Sequence, residues 1–318
     1  MSSEKVENGS FSIMALESGI KYATLEEAPD TPLLVEIVGI RPDDLAKISK
    51  HFEIDLEDLQ DVQDLDERPR LQIEDKFTMM VFRVPVDIRL QDREYSTNPI
   101  GIFTNGRDIV VIQNDTVPLR SKRIRKRVQF GTSASEVIYR LLEVIIESFE
   151  YSLDLIEETI NKTEEDIMSD IYPSQLEWFF QLSRDAIFME TSLKANMKVL
   201  RRLMRFNVVG RMILDEDRLE ELEVDLQQQV ELSAIYRELI ANAMSAYDSI
   251  VSHNLNRVIK TLTSISLLVT VPTLIASIYG MNVGLPFQTE SVAFVLVILI
   301  SLCITIPLLL ILREKGLV

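Results

Sequence analysis

Hydrophobic and polar positions along the chain follow three different rhythms. Up to about residue 130, short runs rich in Val, Ile and Phe alternate with breaks at Pro, Gly, Asn and Asp. That pattern predicts strands at Phe11–Leu16, Leu33–Val38, Leu71–Glu74, Phe77–Val86, Ile100–Thr104 and Asp108–Gln113. Between them, Arg41-Pro42-Asp43-Asp44 opens a short helix reaching about Phe52, and a second helix spans Asp55–Asp61. Residues 1–130 thus read as one compact α/β unit, long enough for its own core.

From Ser133 the apolar period lengthens to three and four residues. Val137, Leu141, Val144, Ile145, Phe149, Leu153, Ile156 and Ile160 share one face of a helix over Ser135–Met168. Pro173 separates it from a second helix, about Ser174 to Phe206. Asp215 is placed to cap a third, striped by Leu219, Leu222, Leu226, Val230, Ile240, Ala243, Tyr247 and Ile250. Neither Pro nor Gly interrupts Met212 to Val271, so this helix is expected to run unbroken past residue 260. Some 65 residues at about 1.5 Å each make a rod of roughly 100 Å. Residues 131–260 therefore read as stalk helices, and so long a rod predicts packing against further copies.

After residue 260 charge disappears. Thr261 to Ile278 is 18 residues without a charge, and Val292 to Leu312 is 21. About twenty apolar residues cross a hydrocarbon layer as one helix, and about seventeen suffice. We read a first span at 261–279, a turn at 280–291, a second span at 292–312 and a tail at 313–318. Thr261, Thr263, Ser264, Ser266, Thr270 and Thr273 make the first span polar enough to face protein or water. The second, nearly all Ile, Leu and Val, is suited to face lipid.

Charge then orients the hairpin. Arg257 and Lys260 precede the first span, Arg313 and Lys315 follow the second, and the turn carries only Glu290. Basic flanks stay on the cytoplasmic side, so both termini are expected in the cytoplasm of a multi-pass cell (inner) membrane protein. Met1 to Gly9 is polar and does not resemble a signal peptide. The formal net charge is −17, from 33 basic and 50 acidic residues. Glu290, Arg313, Glu314 and Lys315 cancel, so that charge belongs to residues 1–260. Such a surface attracts cations and repels nucleic acid. The basic run Arg120, Lys122, Arg123, Arg125, Lys126 and Arg127 lacks interleaved aromatics and reads as a charged helix face.

No phosphate-binding glycine loop, nucleophile elbow or metal-ligand spacing is present, so an enzyme is not expected. The single Cys303 excludes a disulfide framework. With only His51 and His253, a dedicated zinc site is poorly supplied.

Tyr279-Gly280-Met281-Asn282, between the two spans, resembles the signature of CorA-type magnesium channels. Asn256-Arg257-Val258-Ile259-Lys260-Thr261-Leu262-Thr263 resembles that family's pore entry, and Pro272-Thr273 with Ala276-Ser277-Ile278 its outer half. The resemblance implies a homopentamer with an N-terminal αβα sandwich, long stalk helices and a C-terminal two-helix hairpin. Five first spans would line the pore, and five second spans would meet lipid. It implies influx of Mg²⁺, with Co²⁺ and Ni²⁺ as further cargo, gated by cytosolic Mg²⁺ as a regulatory ligand. Gly280, Met281 and Asn282 would form the selectivity filter. The family often carries Glu in the outer loop, whereas Val283-Gly284-Leu285-Pro286-Phe287 stands here.

A ring of Asn282 carbonyls suits Mg²⁺, which sheds water reluctantly and takes oxygen ligands. Gly280 is expected where a Cβ would obstruct the turn. Helical spacing inward from Asn282 selects Ser277, Thr273, Thr270, Ser266, Leu262, Ile259 and Asn256 as pore-lining. Leu262 and Ile259 would make an apolar neck that gates by dewetting. The resemblance also implies regulatory carboxylates between the α/β unit of one subunit and the stalk of the next. Asp87 and Glu221 are the candidates, with Glu220, Glu223 and Asp225 nearby. Alternatives are a zinc-transporting relative of the same fold, a membrane-anchored coiled-coil scaffold, and a cytosolic binding module on a hairpin tether.

Overall fold

The computed structural model describes residues 10–39, 42–86, 97–114, 132–169, 173–206, 208–209, 212–286 and 292–317. Its packing divides the chain into two compact units, Met1–Asn242 and Ala243–Val318.

The first unit is built on a seven-stranded sheet. In chain order its strands are β1 (Ser10–Ala15), β2 (Lys21–Tyr22), β3 (Leu33–Val38), β4 (Arg70–Ile73), β5 (Thr78–Pro85), β6 (Thr97–Thr104) and β7 (Ile109–Gln113). The spatial order is β2-β1-β3-β7-β6-β5-β4. Only β3 and β7 pair in parallel, with Val35 opposite Val110. Every other neighbouring pair is antiparallel. Alternating side chains point to opposite faces. Ile13, Val35, Ile37, Met79, Val81, Val110 and Ile112 meet helices α1 (Pro42–Phe52) and α2 (Leu56–Asp61) through Leu45, Ile48, Phe52, Leu59 and Val62. The other face carries Leu34, Met80, Phe82, Val84, Ile100, Ile102 and Val111, all buried. There the strands β4, β5 and β6 pack on the long helices α3 (Ala134–Ser169) and α4 (Pro173–Phe206).

This is the expected αβα sandwich, but its second helical layer comes from the segment read as stalk. The apolar stripe Val137, Leu141, Val144, Phe149 is fully buried, so α3 is wall as well as stalk. Two strand features escape the hydrophobic pattern: the two-residue β2, and a small hairpin of β8 (Val208–Val209) with β9 (Met212–Ile213). The predicted third helix is α5 (Glu216–Tyr279), 64 residues long, with Pro272 inside it. Asp215 caps it as expected: its Oδ1 accepts from the Asp217 N–H at 3.0 Å. The last helix, α6 (Ala293–Glu314), has 22 residues.

Two local devices hold the first unit. At Gly101 an added Cβ would lie 2.6 Å from Val62 Cγ2, so the bare backbone lets α2 settle onto β6. Around the start of α5, Arg218 lies 4.0 Å above the Tyr139 ring and pairs with Glu136 of α3. Further along, the Tyr236 hydroxyl donates to Glu157 at 2.8 Å, and Arg237 pairs with Glu190 of α4 at 2.6 Å. Burial, and then the Glu157 carboxylate, push the Tyr236 hydroxyl up to about 12.

Gly101→Ala is expected to lower the stability of the first unit by about 1–3 kcal/mol, the usual cost of overpacking, read as a fall in thermal midpoint. The Arg218 hydrogen bond holds the Glu136 carboxyl below its usual range. Its stabilisation is therefore present at neutral pH and lost as pH falls through the lowered folded value. Glu136→Gln is expected to cost about 1 kcal/mol at pH 7, and the gap from wild type should close as the pH is taken below the ordinary carboxylate range.

Candidate functional site

The chemistry read from the sequence falls in the second unit, on α5 and the turn after it. Most of α5 from Ala243 onward, and of α6, presents large apolar side chains outward. Leu262 is 64% exposed and Phe294 74%. Only 6% of the most apolar window of either helix is buried. A core helix of a water-soluble protein would be mostly covered, and neither of these is. The two helices are long and apolar enough to cross a membrane.

Ile259, Leu262, Ser266, Thr270, Thr273 and Ser277 lie along one side of α5, most of them exposed within this chain. Their steps of three and four keep them within an arc of about 80° at 3.6 residues per turn. Asn256 stands about one turn nearer the N-terminus of α5, also exposed. Ser264 projects from the other side of the helix and is 3% exposed. Of the hydroxyls of the first span, Ser264 alone is buried, and Thr261 and Thr263 are exposed like those of the stripe.

The stripe has a definite hydrogen-bond polarity. Thr270 donates its hydroxyl hydrogen to the Ser266 carbonyl at 2.7 Å, and Thr273 to the Val269 carbonyl at 2.8 Å. Thr261 does the same to Arg257 at 3.0 Å, further down the helix. With its hydrogen committed to the helix, each hydroxyl keeps only acceptor lone pairs for whatever stands beside it. Pro272 has no N–H, which leaves the Leu268 carbonyl without its helical donor. The face is rich in acceptors and carries no formal charge between Lys260 and Asn282.

At the C-terminal end of α5 the Gly280 N–H donates to Ala276 at 2.9 Å, and Met281 to Ile278 at 3.2 Å. The last turn tightens, and Asn282 comes after it, exposed, with Met281 52% exposed beside it. The expectation for Gly280 is corrected here. It is not among the glycines with positive φ. An added Cβ would lie 3.4 Å from the Ala276 carbonyl and 3.6 Å from that of Ser277, which is ordinary contact. The fold of one chain therefore does not require glycine at this position.

The predicted regulatory carboxylates separate. Asp87 lies outside the described residues, as do Glu290 and the basic run 120–127. Glu223 pairs with Arg201 of α4 at 2.5 Å, so it is part of the helix packing. Glu220, Glu221 and Asp225 are exposed on α5. Among the described residues, no group of three or more His, Cys, Asp or Glu has the geometry of a metal-ion cage. His253 is exposed, and His51 packs edge-on against Phe52 at 4.7 Å.

The chain is similar to known proteins along most of its length. The family model for CorA-like Mg²⁺ transporter proteins matches residues 36–314. A cobalt/magnesium transport protein of Methanocaldococcus jannaschii is 26% identical over 284 residues, covering 87% of this chain and 88% of the relative. One of the same description from Thermotoga maritima is 21% identical over 263 residues, 79% of this chain and 73% of the relative. The complete structure of the M. jannaschii magnesium transporter superposes with a TM-score of 0.78 at 24% identity, covering 97% of this chain and 98% of that one.

Gly280→Ala is expected to leave the thermal midpoint of the detergent-solubilised protein unchanged within about 2 °C, well under the shift that one kcal/mol produces in a domain, because the added methyl meets only ordinary contacts. A large fall would mean that the turn itself needs glycine.

Proposed function

The chain belongs to the CorA-like Mg²⁺ transporter family, and from that premise we propose that it carries Mg²⁺ inward across a membrane through a pore lined by α5. The observation that carries this reading is the acceptor stripe Ser266, Thr270, Thr273, Ser277, ending at Gly280-Met281-Asn282. A hydrated Mg²⁺ ion presents only outward-pointing water hydrogens. It is matched by a wall whose own hydrogens are already engaged, as those of Thr270 and Thr273 are. Neutral acceptors hold such an ion weakly enough to release it, which conduction requires.

One stripe cannot enclose an ion. The pore calls for several copies, and we take the assembly to be a homopentamer with α6 facing lipid. The exposed apolar surface of both helices supports burial against other copies and lipid. Asn282 then forms the filter ring with Gly280 and Met281. Leu262 and Ile259 form the neck, where an apolar lining gates by dewetting. Asn256 stands at the inner mouth. Both termini lie in the cytoplasm, in keeping with the basic flanks. No bond is made or broken, so the protein is a channel and not an enzyme. A dication moving inward gains about 2 × 2.3 kcal/mol per 100 mV of inside-negative potential. Co²⁺ and Ni²⁺ share the hydrated size that such a wall reads.

Mg²⁺ also acts as the regulatory ligand in this reading. Cytosolic Mg²⁺ would bind carboxylates of the stalk, Glu220, Glu221 and Asp225, against a neighbouring subunit, and hold the closed state.

The test is flux into liposomes with Mg²⁺, Co²⁺, Ni²⁺ and Zn²⁺ compared. Asn282→Ala is expected to lower Mg²⁺ flux at least tenfold while the oligomer stays intact by size-exclusion chromatography. The pair Thr270→Val with Thr273→Val, which keeps shape and deletes acceptors, should lower it severalfold, whereas Thr→Ser at both should not. Wild-type flux through Asn282→Ala would remove the filter from the mechanism. A preference for Zn²⁺ would reassign the cargo.

A further inference from the structure

The stripe on α5 can be followed back towards the N-terminus of the helix, within the second unit. At about 3.6 residues per turn, Leu255, Ser252 and Asp248 fall in the same arc of about 80° as Ile259 to Ser277. Asp248 and Ser266 are five whole turns apart and share one azimuth. The tighter repeat of a supercoiled bundle would turn Asp248 by only about 50° over that length, which leaves it on the same side. All three residues are exposed within this chain, Leu255 at 59%.

Charge is sorted around this part of the helix. Between Ala243 and Asn282 the formal charges are Asp248, Arg257 and Lys260. By the same spacing Arg257 lies about 180° from Asp248, and Lys260 about 120°. The negative group stands on the stripe side and the positive groups do not. Asp248 is also the only acid between Glu238 and Glu290. It makes no hydrogen bond or ion pair among the described residues, whereas Glu190 and Glu223 of the helical layer each meet an arginine. Along the axis Arg257 is about 13 Å from it and Lys260 about 18 Å. Both exceed the Debye length of about 8 Å at physiological salt. The potential beside Asp248 is therefore its own.

We propose that Asp248 is the charge-selecting residue of the conduction path, one carboxylate per subunit gathered around the axis at the inner end. The inference rests on the pore reading above, in which α5 lines the path. Neutral acceptors such as Thr270, Thr273 and Asn282 read the hydrogens of a hydrated ion, but they carry no formal charge to turn back an anion. Rings of carboxylates supply that preference in cation channels. A concentrated negative potential also raises the local concentration of divalent cations. The labour divides accordingly. The stripe and the filter read hydration, and Asp248, about 21 Å beyond Leu262 along the helix, reads the sign of the charge.

The experiment uses the full chain in liposomes and planar bilayers, with MgCl₂ as the probe. Asp248→Asn is expected to lower Mg²⁺ flux about fivefold at about 20 mM ionic strength, where the Debye length is on the order of 20 Å. The gap from wild type should shrink below about twofold at about 1 M, where that length is about 3 Å. Under a MgCl₂ gradient the reversal potential of Asp248→Asn should move towards that of chloride. Asp248→Glu, which keeps the charge, should recover both. In a Cys303→Ser background, a cationic thiol reagent should block flux through Asp248→Cys. It should not block Ile250→Cys, about 160° around the helix. Wild-type flux at low salt together with a wild-type reversal potential in Asp248→Asn overturns the proposal. Should that variant fail to assemble, labelling of Asp248→Cys without block overturns it equally. Asn282→Ala is run alongside. Where wild type conducts and Asn282→Ala does not, a failure at Asp248 leaves the pore reading standing. Absence of flux in wild type removes both.

Discussion

Hydrocarbon offers no hydrogen-bond partners, and the second unit is arranged around that lack. Every backbone N–H and C=O in the spans must be closed within the chain, so both runs are helices. The same constraint disciplines the side chains. Thr261, Thr270, Thr273 and Ser301 each return their hydrogen to a carbonyl one turn back. A hydroxyl bonded to its own helix can sit in an apolar run without a partner helix. On α5 that arrangement has a second effect, because it leaves a face of acceptors only. The chemistry suited to a hydrated cation thus grows out of what the helix needed anyway. Pro272 works the other way, freeing the Leu268 carbonyl on the side of α5 away from the stripe.

The first unit obeys the same rule in a different medium. Its sheet is buried on both faces, so polar groups there must find partners among helices. Asn196, fully buried on α4, accepts from the Arg83 N–H and donates to its carbonyl, both at 2.8 Å. Thr97 and Ser192 pair at 2.8 Å beside it. At the surface of the helical layer, Glu190, Glu223 and Glu136 each meet an arginine from another helix. These acidic residues are fasteners of α5.

Much of this was legible. The strands came from runs of Val, Ile and Phe bounded by Pro, Gly, Asn and Asp. The unbroken α5 came from the absence of Gly and Pro between Met212 and Val271, and the stripe from Ser and Thr at helical spacing. The illegible part depended on contact across the fold. Pro99 suggested that the strand begins at Ile100, yet β6 runs back to Thr97, because Pro99 stands opposite Arg83, whose own N–H and carbonyl are closed by Asn196. The period of α3 gave a helix with one apolar face, but not that this face would cover the sheet. Gly280 looked like a steric necessity of the turn, and only the backbone geometry removes that reason. Glu223 and Asp225 stand close together on α5 and read alike, yet one is held by Arg201 and the other is exposed.

The amide of Asn196 has one more consequence. Strand β4 stops pairing at Arg70 opposite Val81, short of Arg83. An uncovered rung near the end of a sheet is a template on which a second molecule can add its own strand, and from there aggregation grows. Asn196 occupies both hydrogen-bonding groups of that rung with a side chain, which offers no continuing strand to copy. The residue therefore ends the pairing of β5 without a further strand, a helix side chain standing in for a backbone partner.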